Sequence, residues 1–173
     1  MERLWSPWRM RYIHTAHAPK GCLFCEVFES DDDRAHLVVA RRGEALLMLN
    51  RFPYNPGHLM VAVRRHVGRF ASLRGSEPAA FHEMVALAER ALTAEYRPHG
   101  LNVGANLGRV AGAGFPGHLH MHLVPRWNGD TNYMPIVAGV RVLPESLTRT
   151  WTRLRRAVRQ LEGGSRRRAG SSR

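Results

Sequence analysis

The sequence predicts a single α+β domain in which a five-stranded antiparallel sheet is packed by helices on one face. Two observations lead to this prediction. Segments with strand and helix character follow one another in the order strands, helix, strands, helix, which is typical of α+β domains. The chain of 173 residues also has about the length of one domain, and neither an internal repeat nor a linker divides it. The predicted strands are residues 37–40, 45–49, 59–63, 101–105 and 118–124.

Turn and capping residues delimit the other elements. Asn-Pro-Gly at 55–57 predicts a turn between the second and third strands. A helix is predicted between Ser76 and Tyr96, with Ser76 as its N-cap and Pro78 in its first turn. A second helix is predicted after Pro144, with arginines on its solvated face. Its apolar face consists of Leu147, Trp151, Leu154, Val158 and Leu161.

The net charge of +12 comes mostly from the end of the chain. Residues 149–173 contain nine arginines against one acidic residue, Glu162. We therefore expect a single domain over 1–162, with an N-terminal extension and a C-terminal helix, followed by a disordered basic tail over 163–173. A nucleic-acid partner is not favoured, because such a tail gives only weak, salt-sensitive attraction to phosphates.

Membrane and secretion signals are absent from the sequence. No apolar run reaches the roughly 18 residues of a membrane span, so we expect no membrane partner. The N-terminus has no apolar leader segment, so we expect a cytoplasmic protein. In that compartment the pattern Cys22-x-x-Cys25 indicates metal binding or redox chemistry rather than a structural disulfide.

Three alternating histidines are the most informative feature. His118, His120 and His122 alternate with Leu119, Met121 and Leu123. Because strand side chains alternate between faces, the three imidazoles are predicted to share one face over roughly 7 Å while the aliphatic side chains enter the core. Upstream, the segment 102–117 is rich in glycine and ends at this strand. Such a loop can turn backbone N–H groups towards an anion, so the pair predicts a phosphate pocket that faces a nucleophile.

These features resemble the histidine triad (HIT) superfamily of nucleotide hydrolases and transferases. The resemblance runs from about residue 4 to 134 and rests on the histidine triplet, the AGAG loop and the segment LNRFPYNPGHLMV. LWSPWRMRYI, GCLFC and VPRWNGDTNYM are similar to a bacterial, Cys-x-x-Cys-containing branch that includes actinobacterial diadenosine tetraphosphate phosphorylases. The resemblance implies a small HIT-like fold with a central antiparallel sheet, usually in a homodimer and sometimes in a homotetramer.

The resemblance also implies a mechanism. His120 would attack the α-phosphorus of a dinucleoside polyphosphate and form a nucleotidyl-histidine intermediate, and His122 would hydrogen-bond the phosphoryl or leaving oxygen. With inorganic phosphate as acceptor, diadenosine tetraphosphate would give ADP and ATP, which is the activity we expect. With water, or with a phosphoramidate substrate, the enzyme would instead be a hydrolase or phosphoramidase that releases a nucleoside monophosphate.

Substrate-binding residues follow from the same motifs. Asn50 matches the position that binds ribose hydroxyls, Phe52 could line a base pocket, and Asn106 matches the residue near the α-phosphate. Many relatives carry a polar residue four positions before the triad, where this chain has Gly114 followed by Phe115. Contacts to the phosphates are therefore expected from the backbone of the loop. The loop residues concerned are Gly112, Ala113, Gly114 and Phe115.

A structural zinc site is the expected cofactor site. In relatives with the Cys-x-x-Cys element, the two cysteines join two histidines in a closed tetrahedral set, which here corresponds to Cys22, Cys25, His66 and His118. Mg²⁺ could accompany the polyphosphate substrate. Two other interpretations stay open: a catalytic metal held by all three triad histidines, and a nucleotide- or RNA-binding module without turnover. Among the other histidines, His58 in the Pro-Gly-His turn is expected to matter structurally.

Overall fold

The computed structural model describes residues 21–130 and 145–170, with side chains as far as 164. Residues 1–20, the first part of the predicted N-terminal extension, lie outside the described residues, as do residues 171–173 at the end of the predicted tail. In the described ranges, no helix is both long and apolar enough to cross a bilayer.

A five-stranded antiparallel sheet forms the centre of the domain, as predicted. Its strands lie in the order β1-β2-β3-β5-β4, so β4 and β1 are the two edges. Residues of β2 and β3 are buried throughout, because both faces of the sheet are covered. The strands are β1 (Val38–Arg42), β2 (Ala45–Leu49), β3 (Leu59–Val63), β4 (Gly100–Gly104) and β5 (His120–Arg126).

Helices of unequal length cover the two faces. On one face, α2 (Glu77–Tyr96) and α3 (Leu147–Gly170) pack over a large core that includes Leu47, Val61 and Leu123. On the opposite face lies α1 (Leu23–Glu29), a seven-residue helix that the sequence did not predict. Its apolar side chains join a second, smaller core that consists of Phe24, Val27, Phe28, Val38, Leu46, Met48, Met60 and Ala62.

The register of β5 sets the direction of the histidines. His120 lies opposite Ala62 of β3 and His122 opposite Met60, so both rings face the smaller core beside α1. Leu119 and Leu123 are buried on the opposite side, as predicted. His118 precedes the strand, because its N–H donates to the Phe115 carbonyl and the N–H of Leu119 donates to Val67. The sheet therefore places two triad histidines on β5 and one at its entrance.

Arginines of α3 form ion pairs with acidic side chains of the chain itself. Arg153 contacts Glu95 and Glu145, and Arg155 contacts Asp33. The sequence predicts a solvated arginine face, but these two arginines are half-buried because they pair with the rest of the domain. The helix continues to Gly170, beyond residue 163, where the predicted disordered tail begins.

An ion pair, rather than a serine cap, holds the start of α2. Ser76 occupies the N-cap position but makes no capping hydrogen bond with its side chain. The Glu77 carboxylate instead accepts the Arg74 N–H at 2.9 Å and two hydrogen bonds from Arg65 at 2.7 and 2.6 Å. The Arg65 hydrogen bonds lower the pKa of Glu77 from 4.5 to about 2.

We expect Glu77→Gln to lower the free energy of unfolding by about 2 kcal/mol at pH 7, because Arg65 loses its charged partner. Since the folded-state pKa lies below the ordinary one, the carboxylate stabilises the fold fully above pH 4.5 and loses this effect as the pH falls towards 2. Urea unfolding across this range should therefore show the two proteins converging in acid. Glu83→Gln, at an exposed site on the same helix, is the control and should match the wild type at every pH. A constant gap between Glu77→Gln and the wild type would contradict the prediction.

Candidate active site

His120 lies at the centre of the site with its reactive nitrogen defined by a backbone contact. The ring is 5% exposed and packs 4.7 Å from the ring of Phe24 on α1. Its Nδ1–H donates to the His118 carbonyl at 2.7 Å, which leaves the lone pair on Nε2. Burial lowers the pKa of His120, so the ring is neutral at pH 7. A neutral imidazole with a free Nε2 lone pair is a competent nucleophile.

A chain of hydrogen bonds holds His122 in the opposite tautomer to that of His120. The backbone N–H of Tyr54 donates to His58 Nδ1 at 3.1 Å, so the proton of the neutral His58 ring sits on Nε2. That Nε2 lies 3.0 Å from His122 Nδ1 and donates to it. His122 therefore carries its own proton on Nε2. One triad ring presents a lone pair and its neighbour, 5.1 Å away between ring centroids, presents a proton.

Cys22, Cys25, His66 and His118 converge beside this pair. Their ligand atoms all lie within 4.8 Å of one another, and Cys25 Sγ lies 3.3 Å from His66 Nδ1. Tetrahedral zinc with bonds of about 2.0–2.3 Å places neighbouring ligand atoms about 3.3–3.8 Å apart. Burial raises the pKa of the Cys25 thiol, and the neighbouring Cys22 is the second cause of this increase. This favours a neutral thiol unless a cation is present. The four residues thus form a cluster that could hold a metal ion.

The tautomer of His118 fits a metal ligand. Its Nε2–H donates to the Val63 carbonyl at 2.7 Å, so the lone pair is on Nδ1. That Nδ1 lies 3.3 Å from Cys22 Sγ and 3.6 Å from Cys25 Sγ. A backbone acceptor that orients a ligand histidine in this way is usual in metal sites. Because the His118 carbonyl also accepts the His120 proton, one residue connects the cluster to the nucleophile.

Asn50 and Phe52 lie just before the turn that carries His58. The N–H of Asn50 donates to the His58 carbonyl at 2.9 Å, and its Oδ1 accepts the N–H of Phe52 at 2.8 Å. Asn50 therefore shapes the turn that presents the Phe52 ring, which is 55% exposed.

Asn106 and the glycine-rich loop contact one another. Asn106 Nδ2 donates to the Gly112 carbonyl at 3.3 Å, and the Ala113 N–H donates to the Gly108 carbonyl at 3.3 Å. Asn106 therefore holds the loop in place. A phosphate that accepts the Ala113 N–H would have to replace the long hydrogen bond from this N–H to the Gly108 carbonyl. Gly114 is exposed, and the Phe115 ring packs 5.7 Å from Phe24.

The model of the HIT domain matches residues 33–129, which include all three triad histidines, His58, Asn50 and the glycine-rich loop. The chain belongs to the HIT family. A relative from Mycobacterium tuberculosis named AP-4-A phosphorylase is 40% identical over 158 residues, covering 87% of this chain and 80% of that protein. Protein hit of Bacillus subtilis is 29% identical over 115 residues, covering 66% of this chain and 77% of that protein.

Solved structures of HIT proteins share this fold. A structure described as a Zn-bound histidine triad family protein from Mycobacterium smegmatis has a TM-score of 0.68 and 24% identity, and covers 84% of this chain and 98% of that one. A histidine triad nucleotide-binding protein from Sulfolobus tokodaii has a TM-score of 0.65 and 22% identity, and covers 82% of this chain and 94% of that one. The present chain is thus an enzyme of the HIT family with a five-stranded sheet and, in the described ranges, helices on both faces.

The structure removes support from the three-histidine metal site. In such a site one nitrogen of each triad ring would converge on a common point. The side chains of His118 and His122 instead turn towards the cysteines and His58, and the three rings do not form a ligand group among the described residues. Those residues contain no second such group either, so nothing in them supports the Mg²⁺ that could accompany the substrate.

Phe24 and Tyr54 are site residues that sequence reasoning missed. Phe24 packs on His118 and His120 at centroid distances of 5.0 and 4.7 Å, but it belongs to the unpredicted α1. Tyr54 acts through its backbone N–H, which no side-chain pattern reveals. His58 was expected to be structural, and the structure adds its contact with His122.

Proposed function

We propose that this HIT enzyme cleaves a dinucleoside polyphosphate at the α-phosphate and passes the nucleotidyl group to inorganic phosphate. The observation that carries the proposal is the hydrogen bond from His120 Nδ1–H to the His118 carbonyl, which commits the Nε2 lone pair of a buried, neutral ring to attack. The 40% identity to the mycobacterial AP-4-A phosphorylase supports diadenosine tetraphosphate as the substrate.

The reaction proceeds in two displacements. His120 Nε2 bonds to the α-phosphorus while the bond to the bridging oxygen breaks and ATP leaves. His122 donates its Nε2 proton to the departing or phosphoryl oxygen, since the His58 contact keeps the proton on that nitrogen. An oxygen of inorganic phosphate then attacks the same phosphorus, forms ADP and frees His120. The two steps sum to diadenosine tetraphosphate plus phosphate giving ADP plus ATP.

The substrate contacts are assigned to the residues around this pair. Asn50 binds ribose hydroxyls, Phe52 contacts a base with its exposed ring, and the loop from Gly112 to Phe115 faces the phosphates, with Asn106 holding the loop in place. This arrangement uses neutral groups and backbone amides, which stabilise charge that develops on phosphoryl oxygens.

The cysteine and histidine cluster is assigned to structural zinc. Cys22, Cys25, His66 and His118 would supply four ligands, and a bound ion would hold these segments of the chain together. The consequence for catalysis is indirect, because a fixed His118 keeps its carbonyl in place for the His120 proton. We also assign the protein to the cytoplasm. We assign it as a homodimer or homotetramer, and gel filtration with light scattering would test this oligomeric state.

Product analysis tests the acceptor. Purified protein is incubated with diadenosine tetraphosphate with and without inorganic phosphate, and the nucleotides are separated by anion-exchange chromatography. We expect ADP and ATP in equal amounts, and only when phosphate is present. Formation of AMP independent of phosphate would replace the phosphorylase with a hydrolase, and turnover of adenosine phosphoramidate alone would identify a phosphoramidase. Binding of the substrate without any product would overturn the proposed function.

A further inference from the structure

The turn that carries His58 is anchored by the side chain of Asn55. Asn55 Nδ2 donates to the Pro125 carbonyl at 2.9 Å and to Asp130 Oδ2 at 2.9 Å. Both partners are acceptors, so the amide orientation is defined and both amide protons are used. The Asn55 carbonyl accepts the His58 N–H at 3.1 Å. One residue thus connects the turn to the end of β5, the strand on which His122 lies.

Asp130 is itself held in place as a charged group. Its side chain is 11% exposed and accepts hydrogen bonds from Arg126 Nε at 2.6 Å and Nη2 at 2.9 Å. The Trp127 N–H adds a bond of 3.2 Å. A hydrogen bond to a fixed, ionised carboxylate is stronger than one between neutral groups, so the Asn55 contact is a firm anchor.

We propose that Asn55 and Asp130 are positioning residues for the reaction, which hold the 54–58 turn where His58 fixes the tautomer of His122. The turn must satisfy two contacts at once, Tyr54 N–H to His58 Nδ1 and His58 Nε2–H to His122 Nδ1. Displacement of the turn by about 1 Å would break both, and misplacement of this size costs up to 100-fold in rate. The kinetic consequence rests on the proposed function, whereas the tautomer does not.

The test measures both consequences in Asn55→Ala. We expect kcat to fall about 10- to 100-fold with KM changed less than about threefold, because the groups assigned to substrate binding remain. In ¹H–¹⁵N spectra of histidine-labelled protein, the His122 signal should change from the Nε2–H form to a mixture of tautomers, while His120 keeps its Nδ1–H form. Asn55→Asp, which places a carboxylate against two acceptors, should behave in the same way if Asn55→Ala fails to fold.

A double-mutant cycle and a matched control separate positioning from general damage. If both residues act through one contact, Asn55→Ala combined with Asp130→Ala should lower kcat no further than the more damaging single change. Asn102→Ala removes a partner of Arg126 in the same surface network without touching Asn55, and it should keep kcat within about twofold.

The inference is overturned if the Asn55 variants retain the wild-type His122 signal, or if Asn102→Ala shifts that signal equally. A wild-type protein that shows the Nε2–H signal but does not turn over dinucleoside polyphosphates would refute the proposed function and leave the positioning of His122 supported.

Discussion

His120→Ala is expected to lower kcat by about 10⁴-fold or more, because nucleophiles that form covalent intermediates cannot be replaced by their neighbours. In this site the neighbouring rings are committed elsewhere. His118 directs its lone pair at the cysteines, and His122 holds a proton on Nε2. Neither can offer a nitrogen lone pair to phosphorus without breaking those contacts. Single-turnover assays with substrate labelled at the α-phosphate would measure the loss, and quenching in base should trap labelled wild-type protein but no labelled variant.

The control for this variant is His82→Ala, which removes an exposed imidazole from α2 and should retain wild-type kcat. Far-ultraviolet circular dichroism should be unchanged in both variants. A His120→Ala protein that retains more than a tenth of the wild-type rate would contradict the covalent mechanism. Equal labelling of wild type and variant would place the adduct on another residue.

The face of β5 that carries the histidines could be predicted from the sequence because it depends on a local rule. Alternation along a strand has a period of two, so His120 and His122 had to share a face opposite Leu119 and Leu123. The structure confirms this arrangement, although β5 begins at His120. The resemblance to relatives also grouped Cys22 and Cys25 with His66 and His118. The cysteine pair and the two histidines are far apart in sequence but adjacent in the fold.

The protonation pattern of the site could not be predicted, because it depends on backbone groups brought together by the fold. The His118 carbonyl and the Tyr54 N–H decide which nitrogen of His120 and of His58 carries the proton, and a residue type gives no information on either. The helix α1 was missed for a different reason. Seven residues make about two turns, which is too short for a clear helical period, and the helix is packed on distant segments through Phe24, Val27 and Phe28.

The start of α2 shows that a correct boundary can have an unexpected cause. Ser76 was predicted as a capping residue from its type and position, and the helix does begin at the next residue. The fold instead brings Arg65 from the segment after β3 to Glu77, and this carboxylate satisfies the Arg74 N–H. A contact between distant segments thus replaces the local one, and no local sequence pattern reports it.

Removal of the metal is expected to lower the Tm of the wild-type protein by roughly 10 °C. A ligand present at about 1000 times its Kd stabilises the folded state by about 4 kcal/mol, and each kcal/mol shifts the Tm of a chain of this size by about 2–4 °C. The cluster joins three segments of the chain, those around Cys22, His66 and His118, so a bound ion would link them in the folded state. Elemental analysis should find one zinc ion per chain, and thermal melts with a chelator should show the shift.

Cys22→Ser and Gly117→Ala make the assignment specific. Cys22→Ser removes one ligand, so the variant should melt at the lower Tm already and show no further decrease with chelator. At Gly117 an added Cβ would lie 2.8 Å from His66 Nε2, so alanine should weaken the metal affinity without removing a ligand. Addition of zinc should then recover the Tm of Gly117→Ala but not that of Cys22→Ser. A wild-type protein that contains no metal and melts at the same temperature with and without chelator would reduce the cluster to two half-buried thiols and two histidines with no cofactor.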